Sequence, residues 1–278
     1  MERVLVNGSP DQPVSPFDRA LQFGDGLFET VACRRGRPRF LKLHLERLQW
    51  GCDRLALSGG DLDEVRREVL MLAQEVDHAI IKVVLTRGPA LARGYGVTGR
   101  EKATRITFRH PWPPETGTES QDGVQVRTAT LRLGENPALA GLKHCNRLEQ
   151  VLARREWTDP AITEALLFSS SGRLVSGTMS NVFVVDRSGL RTPRIDVCGV
   201  AGIMRKVVLR EAARAGIAAR EDVLDATDLR NADEIFLTNA RIGIWPVRAL
   251  DGTALRVGSM TRHLQTLLQP LLEEPADE

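Results

Sequence analysis

Hydrophobic and polar positions follow two different periods in the first part of the chain. Between residues 37 and 76, apolar residues recur every three or four positions, which predicts two amphipathic helices, at 45–55 and 61–72. From residue 78 the pattern changes to that of strands, with runs rich in β-branched residues at 78–86 and 104–108. The first part therefore contains both helices and strands.

A segment with the composition of a linker separates this part from the rest. Pro, Ser, Thr and Gly dominate residues 110–122, and we place the boundary there. We predict a small N-terminal α/β domain at 1–112, a linker at 113–122 and a larger C-terminal domain at 123–278. In the larger domain the pattern predicts strands at 124–129, 165–168, 173–175, 181–185 and 234–238, and helices at 203–215 and 259–272. The fold class is mixed α/β in two domains.

Composition narrows the class of protein. The chain has 278 residues, 42% hydrophobic and 27% charged, which is typical of a soluble globular enzyme. Its net charge of +2 comes from 38 basic and 36 acidic residues, and its pI is about 8.5. No basic stretch is interleaved with aromatic residues, and no apolar run approaches the ~18 residues of a membrane span, so we expect neither a nucleic-acid nor a membrane partner. Four widely spaced cysteines favour free thiols in the cytoplasm over disulfides or a metal site.

Lysine is scarce in this chain. Only five of the 38 basic residues are lysine. A desolvated lysine can lose its proton and act as a nucleophile or base, whereas arginine stays charged. Lys143 follows a stretch that contains proline and glycine, 136–142, and precedes a helical pattern at 148–153. This predicts a loop-to-helix junction, where an ordinary solvated lysine is the alternative interpretation.

Three features are candidates for a phosphate site. The segment Gly-Val-Ala-Gly-Ile-Met at 199–204 enters a predicted helix, so the amides of Ile203 and Met204 are donors at its positive end. Asn239 follows a buried strand, where polar residues often face a site. Arg47 borders the apolar face of the first helix. Each feature also has a purely structural interpretation: a common glycine helix start, a polar strand end and a solvated helix arginine.

Two glycine-rich segments add further candidates. The segment Arg-Gly-Tyr-Gly at 93–96 holds the single tyrosine of the chain. Arg93 and Tyr95 could bind a carboxylate there, although a surface loop with an incidental arginine is equally compatible with the composition. Residues 18–30 are polar and rich in glycine, which indicates either a close approach of the backbone to a ligand or a tight turn.

The order of these motifs is more specific than any one of them. The motifs are Phe-Gly-Asp-Gly-x-Phe-Glu-Thr at 23–30, His-Leu-Glu-Arg-Leu at 44–48, Arg-Gly-Tyr at 93–95, Gly-Leu-Lys-His-x-Asn-Arg-Leu-Glu-Gln at 141–150, Gly-Ile-Met-Arg at 202–205 and Thr-Asn-Ala at 238–240. In this order the chain resembles the fold type IV pyridoxal-phosphate enzymes, the branched-chain and D-amino-acid aminotransferase-like family. Within that family it is most similar to the lyases of 4-amino-4-deoxychorismate. The resemblance runs from Val6 to about Val247.

The resemblance implies a fold and a cofactor site. Members of the family are homodimers, and pyridoxal 5′-phosphate lies in an active site between the small N-terminal and the larger C-terminal domain. By position, Lys143 matches the lysine that forms the Schiff-base link, and Arg47 matches the arginine that binds the cofactor phosphate. Ile203 and Met204 match the helix-start amides that share this phosphate. Asn239 lies in the strand-end segment that approaches it.

The resemblance also implies an activity. Arg93 and Tyr95 match the loop that receives the substrate carboxylates. Thr30 stands where branched-chain aminotransferases carry glycine and D-amino-acid aminotransferases carry valine, and a hydroxyl there suits a lyase that must protonate a departing enol-pyruvyl group. The implied reaction is conversion of 4-amino-4-deoxychorismate to 4-aminobenzoate and pyruvate in folate biosynthesis. Transamination of D-amino or branched-chain amino acids and an inactive paralogue stay open as alternatives.

One position departs from the family pattern. The family has a glutamate five residues before an asparagine, where the carboxylate pairs with the pyridine nitrogen of the cofactor. Here Ser176 stands five residues before Asn181. A neutral hydroxyl holds the ring nitrogen protonated less well than a carboxylate, so the electron sink is weaker. A lyase that forms an aromatic product tolerates a weaker sink, and Ser176 therefore favours a lyase over an aminotransferase.

Overall fold

The structure is a computed structural model that describes residues 3–74, 76–113 and 118–273. The predicted mixed α/β class is confirmed, because these residues form two β-sheets and helices between their strands. The chain divides into two compact units. The first comprises Met1–Pro114, Lys143–Asn146 and Glu273–Glu278, and the second comprises Glu115–Leu142 and Arg147–Leu272.

The first unit is built on one antiparallel sheet of five strands. They are β1 (Arg3–Val6), β2 (Gly26–Arg34), β3 (Arg37–Pro38), β4 (His78–Thr86) and β5 (Thr104–Pro111). Their order in the sheet is β1-β5-β4-β2-β3. Its helices are α1 (Arg19–Phe23), α2 (Leu41–Leu55) and α3 (Leu62–Gln74). The apolar faces of α2 and α3 share a buried core with alternate residues of β2 and β4, such as Val31 and Ile81.

Helix α1 is an element that periodicity did not predict. Asp18 caps its first turn by accepting a hydrogen bond from the Ala20 amide, and Gly24 ends it with a φ of 69°. The helix is only five residues long, too short to display a helical period. The glycine-rich segment 18–30 therefore consists of a short helix, a turn and the start of strand β2.

The second unit carries a larger mixed sheet. Its strands are β6 (Val124–Leu133), β7 (Ile162–Ser169), β8 (Leu174–Gly177), β9 (Asn181–Asp186), β10 (Gly189–Pro193), β11 (Ala219–Asp222), β12 (Glu234–Asn239), β13 (Gly243–Leu250) and β14 (Thr253–Ala254). Their order in the sheet is β11-β10-β9-β12-β13-β6-β7-β8, with β14 beside β13. Its helices are α4 (Glu119–Asp122), α5 (Leu148–Arg154), α6 (Ile203–Arg214), α7 (Ala226–Arg230) and α8 (Ser259–Glu273). Phe183 and Phe236 stack in its interior with their ring centres 4.8 Å apart.

Several features of this unit differ from the sequence pattern, and strands β10, β11 and β14 and helix α7 were not predicted. Residues 114–117 of the predicted linker lie outside the described residues. Residues 119–122, at the end of this linker, form helix α4. Strand β13 was not predicted, and Pro246 within it is unusual for a strand with neighbours on both sides. Among the residues that the structure describes, no helix is long and apolar enough to cross a membrane.

Candidate active site

Lys143 lies along the edge of strand β2 in the first unit. Its carbonyl accepts a hydrogen bond from the Phe28 amide (2.9 Å), and the Cys145 amide donates to the carbonyl of Gly26 (2.9 Å). Lys143 therefore belongs to an extended segment that pairs with β2, and helix α5 begins only at Leu148. The Nζ atom lies 4.2 Å from the centre of the Phe28 ring, a cation–π distance. Backbone pairing and this ring together fix the amine.

Thr30 lies on the same face of the sheet as Phe28. The two residues are separated by one position in β2, and side chains two apart in a strand point to the same face. Thr30 is paired directly with Lys82 of β4, whose Nζ atom lies 5.5 Å from the Phe28 ring centre. Two amines therefore lie near the Phe28 ring, and Thr30 lies on the same face of the sheet. Lys82 was not among the predicted site residues, because strand register cannot be read from periodicity.

Arg47 and two further side chains form a buried cluster in the first unit. Arg47 donates from Nε to Oε1 of Glu29 (2.7 Å) and from Nη2 to Oε2. The Nδ1 atom of His44 lies 2.6 Å from the same Oε2. Glu29 and His44 are both buried. Glu29 was not among the predicted site residues. It lies between the inward-facing Leu27 and Val31 of the same strand, and a charged residue at such a position is a signal that could have identified it.

The charges in this cluster fix its protonation. Burial alone would raise the pKa of Glu29, but the positive charge of Arg47 and the interaction with His44 lower this pKa to about 2. Burial lowers the pKa of His44, and the charges of Arg47 and Lys143 lower it further against the opposing effect of Glu29. At neutral pH the carboxylate is therefore ionised and the imidazole neutral. Glu29 consequently holds the guanidinium of Arg47 in one orientation.

The start of helix α6 in the second unit is suited to an anion. No side chain caps the helix, so the first amides, which include those of Ile203 and Met204, have no intrahelical acceptor. The positive end of the helix dipole adds to their attraction for a phosphate. Gly202 is required here, because a Cβ atom would lie 1.9 Å from Oδ1 of Asn181. The amide group of Asn181 thus fills the space of a side chain and also donates to the Val200 carbonyl (2.9 Å).

Ser176 is the penultimate residue of strand β8, next to a tight turn. Its side chain is buried, and the hydroxyl donates to the carbonyl of the next residue (2.8 Å). The turn is held by the buried carboxylate of Glu164, which accepts from the amides of Thr178 (3.0 Å) and Met179 (3.1 Å). The hydroxyl of Ser180 donates to the same carboxylate (3.0 Å). Glu164, which the sequence analysis did not single out, therefore orders the turn beside the neutral position 176.

Asn239 ends strand β12, and its side chain bonds to nearby backbone. Oδ1 accepts hydrogen bonds from the amides of Arg241 and Ile242 (3.0 Å each), and Nδ2 donates to the Met179 carbonyl (3.2 Å). The side chain thus organises the turn after the strand.

Arg93 and Tyr95 lie in a loop of the first unit whose residues 91–100 are all exposed. Tyr95 is 82% exposed, and its ring centre lies 5.1 Å from that of Phe23. An exposed arginine and phenol on one loop are available to a carboxylate. The predicted site residues are divided between the two units. The first unit holds Thr30, Arg47, Arg93, Tyr95 and Lys143, and the second holds Ser176, Ile203, Met204 and Asn239.

Comparison with known proteins identifies the family. The model of the amino-transferase class IV family matches residues 26–250. The chain belongs to this family. The crystal structure of 4-amino-4-deoxychorismate lyase from Pseudomonas aeruginosa is 42% identical and has a TM-score of 0.93, with 97% of this chain and 99% of that chain covered. Both the predicted family and the predicted fold type are thereby confirmed.

Relatives in this family include lyases and aminotransferases. Aminodeoxychorismate lyase of Vibrio harveyi is 31% identical over 94% of this chain and 97% of its own length. D-alanine aminotransferase of Bacillus licheniformis is 30% identical over 99% of each chain. Membership of class IV therefore does not by itself distinguish a lyase from an aminotransferase, and the residues of the site must decide between them.

Proposed function

We propose that this class IV protein is a pyridoxal-phosphate-dependent lyase that converts 4-amino-4-deoxychorismate to 4-aminobenzoate and pyruvate, a step of folate biosynthesis. The observation that carries this proposal is the likeness, over nearly the whole chain, to the Pseudomonas lyase. Thr30 supports it further, because a hydroxyl lies on the sheet face where Phe28 contacts the amine of Lys143.

The residues present fit pyridoxal 5′-phosphate. Lys143 offers an amine for the covalent link, and Arg47 and the uncapped start of helix α6 offer donors for the phosphate. When bound, the cofactor supplies an electron sink for the bond beside the substrate nitrogen. Ser176 offers the ring nitrogen a neutral hydroxyl.

Each proposed catalytic residue has a distinct task. The amine of Lys143 removes the ring proton beside the substrate nitrogen. The hydroxyl of Thr30 delivers a proton, directly or through one water, to the carbon of the leaving enol-pyruvyl group. Arg93 and Tyr95 bind the substrate carboxylates. Loss of the ring proton and of the enol-pyruvyl group leaves an aromatic ring, which makes the step favourable with a weak electron sink.

We also propose that the protein is a homodimer. Five large hydrophobic side chains of the first unit are exposed on or beside helix α1 and the loop that follows strand β4. They are Phe17, Leu21, Leu91, Tyr95 and Val97. A backbone hydrogen bond from Ala90 to Phe17 joins the two segments. An exposed apolar patch of this kind supports a protein interface, and a second copy of the chain is the partner that the family favours. The cytoplasmic location stays a prediction.

The reaction is tested by measuring 4-aminobenzoate formation beside half-transamination of D-alanine. We expect 4-aminobenzoate from the wild type and a loss of about 10²-fold or more in lyase turnover for Thr30→Val, with the cofactor retained, as for a positioned general acid. Ser176→Glu should raise transamination more than lyase activity, since it restores the stronger electron sink. Lys143→Ala should lose the visible absorbance of the bound cofactor.

Thr253→Val is the matched control for the loss of a hydroxyl, because Thr253 is exposed in strand β14. It should leave both reactions unchanged. A wild type that transaminates readily but forms no 4-aminobenzoate would replace the lyase with an aminotransferase. A wild type that binds the cofactor and performs neither reaction would favour the inactive paralogue.

A further inference from the structure

The buried guanidinium of Arg19 holds the exposed loop 91–100 through hydrogen bonds. Arg19 is 4% exposed, and its Nη2 atom donates to the carbonyl of Tyr95 (2.9 Å). Its Nη1 atom donates to the carbonyls of Gly96 (3.1 Å) and Gly94 (3.3 Å). Three consecutive carbonyls thus converge on a single planar group, which presents its donors in a rigid fork. The backbone beside Arg93 and at Tyr95 takes its shape from Arg19.

A carboxylate fixes this guanidinium in turn. Arg19 donates from Nε to Oδ2 of Asp25 (2.9 Å), and Asp25 also accepts from Nε (2.8 Å) and Nη2 (3.1 Å) of Arg87. Arg87 donates further to the carbonyls of Leu55 and Ala56 (2.7 Å each) at the end of helix α2. Burial would raise the pKa of Asp25, but its hydrogen bonds to Arg87 and Arg19 lower it. An ionised Asp25 thus ties the loop to the helix that carries Arg47.

Arg19 also orients the ring of Tyr95. Its guanidinium carbon lies 5.2 Å from the centre of the Phe23 ring, against which the Tyr95 ring packs. At the other end of the loop, Glu101 accepts from the Thr98 amide (2.7 Å) and hydroxyl (3.0 Å). Arg19 therefore holds the part of the loop that directly follows Arg93, and Glu101 holds the part at Thr98.

We propose that Arg19 is a positioning residue for substrate specificity, which orients Arg93 and Tyr95 to receive the carboxylates of a dicarboxylic substrate. This inference rests on the proposed function, in which those two side chains bind the substrate carboxylates. Arg19 itself does not touch the substrate. It acts by holding the three carbonyls of the loop, and Asp25 acts by holding Arg19.

Arg19→Lys tests this directly, because lysine keeps the charge but cannot present the fork of donors. We expect limited proteolysis by trypsin after Arg93 to become about tenfold faster in cofactor-free protein, since the anchored backbone opens more often. In the loaded enzyme, the KM for 4-amino-4-deoxychorismate should rise about tenfold while kcat stays within about twofold. The absorbance of the bound cofactor should not change. Arg37→Lys, at an exposed arginine of the same unit, is the matched control and should alter none of these quantities.

Asp25→Glu provides a second variant if Arg19→Lys folds poorly, because it keeps the carboxylate but moves it relative to Arg19 and Arg87. It weakens the hold on Arg19 and should change tryptic cleavage and KM in the same direction. Faster cleavage with an unchanged KM would overturn the inference. A joint loss of kcat and cofactor would also overturn it, because Arg19 would then only support the fold.

Arg93→Gln separates this inference from the proposed function. If Arg93→Gln raises KM and Arg19→Lys does not, only the role of Arg19 is wrong. If Arg93→Gln leaves KM unchanged, this loop does not bind the substrate carboxylates, and the inference is wrong together with that part of the proposed function.

Discussion

Replacement of Glu29 by glutamine should change the stability of this protein in a pH-dependent way. Glu29 is buried, accepts two hydrogen bonds from Arg47 and contacts His44. Glutamine has nearly the same shape but cannot carry the charge. Glu29→Gln therefore removes the ion pair while keeping the volume of the side chain.

The magnitude follows from the pKa of Glu29, which is lowered from its ordinary value of 4.5 to about 2. A shift of this size corresponds to about 3 kcal/mol of folding free energy. Because the pKa in the folded state is depressed, this stabilisation is complete above pH 4.5 and is lost as the pH falls towards 2. At pH 3 roughly 1.5 kcal/mol of it should remain. The variant lacks this titration and keeps only a constant cost from the broken pair.

The assay is urea unfolding of wild type and variant at pH 7, 5 and 3, in cofactor-free protein. The difference between the two free energies of unfolding should shrink by about 2 kcal/mol between pH 7 and pH 3. Glu64→Gln is the matched control, because Glu64 forms an exposed ion pair with Arg67, worth at most about 1 kcal/mol. An equal difference at all three pH values would refute the reasoning, since Glu29 would then not titrate with the fold.

Two further substitutions test the proposed phosphate site. Arg47→Ala should weaken cofactor affinity by about 2 to 3 kcal/mol, the cost of charge-assisted hydrogen bonds in a shielded site; equilibrium dialysis measures this, and unchanged retention would count against Arg47. Gly202→Ala should lower the free energy of unfolding by about 1 to 3 kcal/mol and weaken cofactor binding, because the new Cβ atom would lie 1.9 Å from Oδ1 of Asn181. Gly96→Ala, where a Cβ meets nothing within 4 Å, is its control, and equal effects of the two changes would contradict the packing argument.

The sequence by itself determined the elements whose signal is local. Helices α2 and α3 and strand β4 overlap the segments that the hydrophobic period predicts, because one face of each contributes apolar residues to a buried core. The order of short motifs was sufficient to indicate the family, which comparison confirmed. Each motif is a contiguous run of residues, so the order of the motifs can be read directly from the sequence.

Only the tertiary structure decided which side chains meet. Glu29 and Arg47 are 18 residues apart, and Arg19 lies 76 residues from Tyr95, so no local period connects them. Lys143 illustrates the same point: its neighbours predicted a loop-to-helix junction, and only the structure shows that its backbone pairs with strand β2, which lies far away in the sequence. Strand register and the burial of charged groups depend on packing between distant segments. The physical reason is that a carboxylate such as Glu29 can be buried only where the fold supplies its partners.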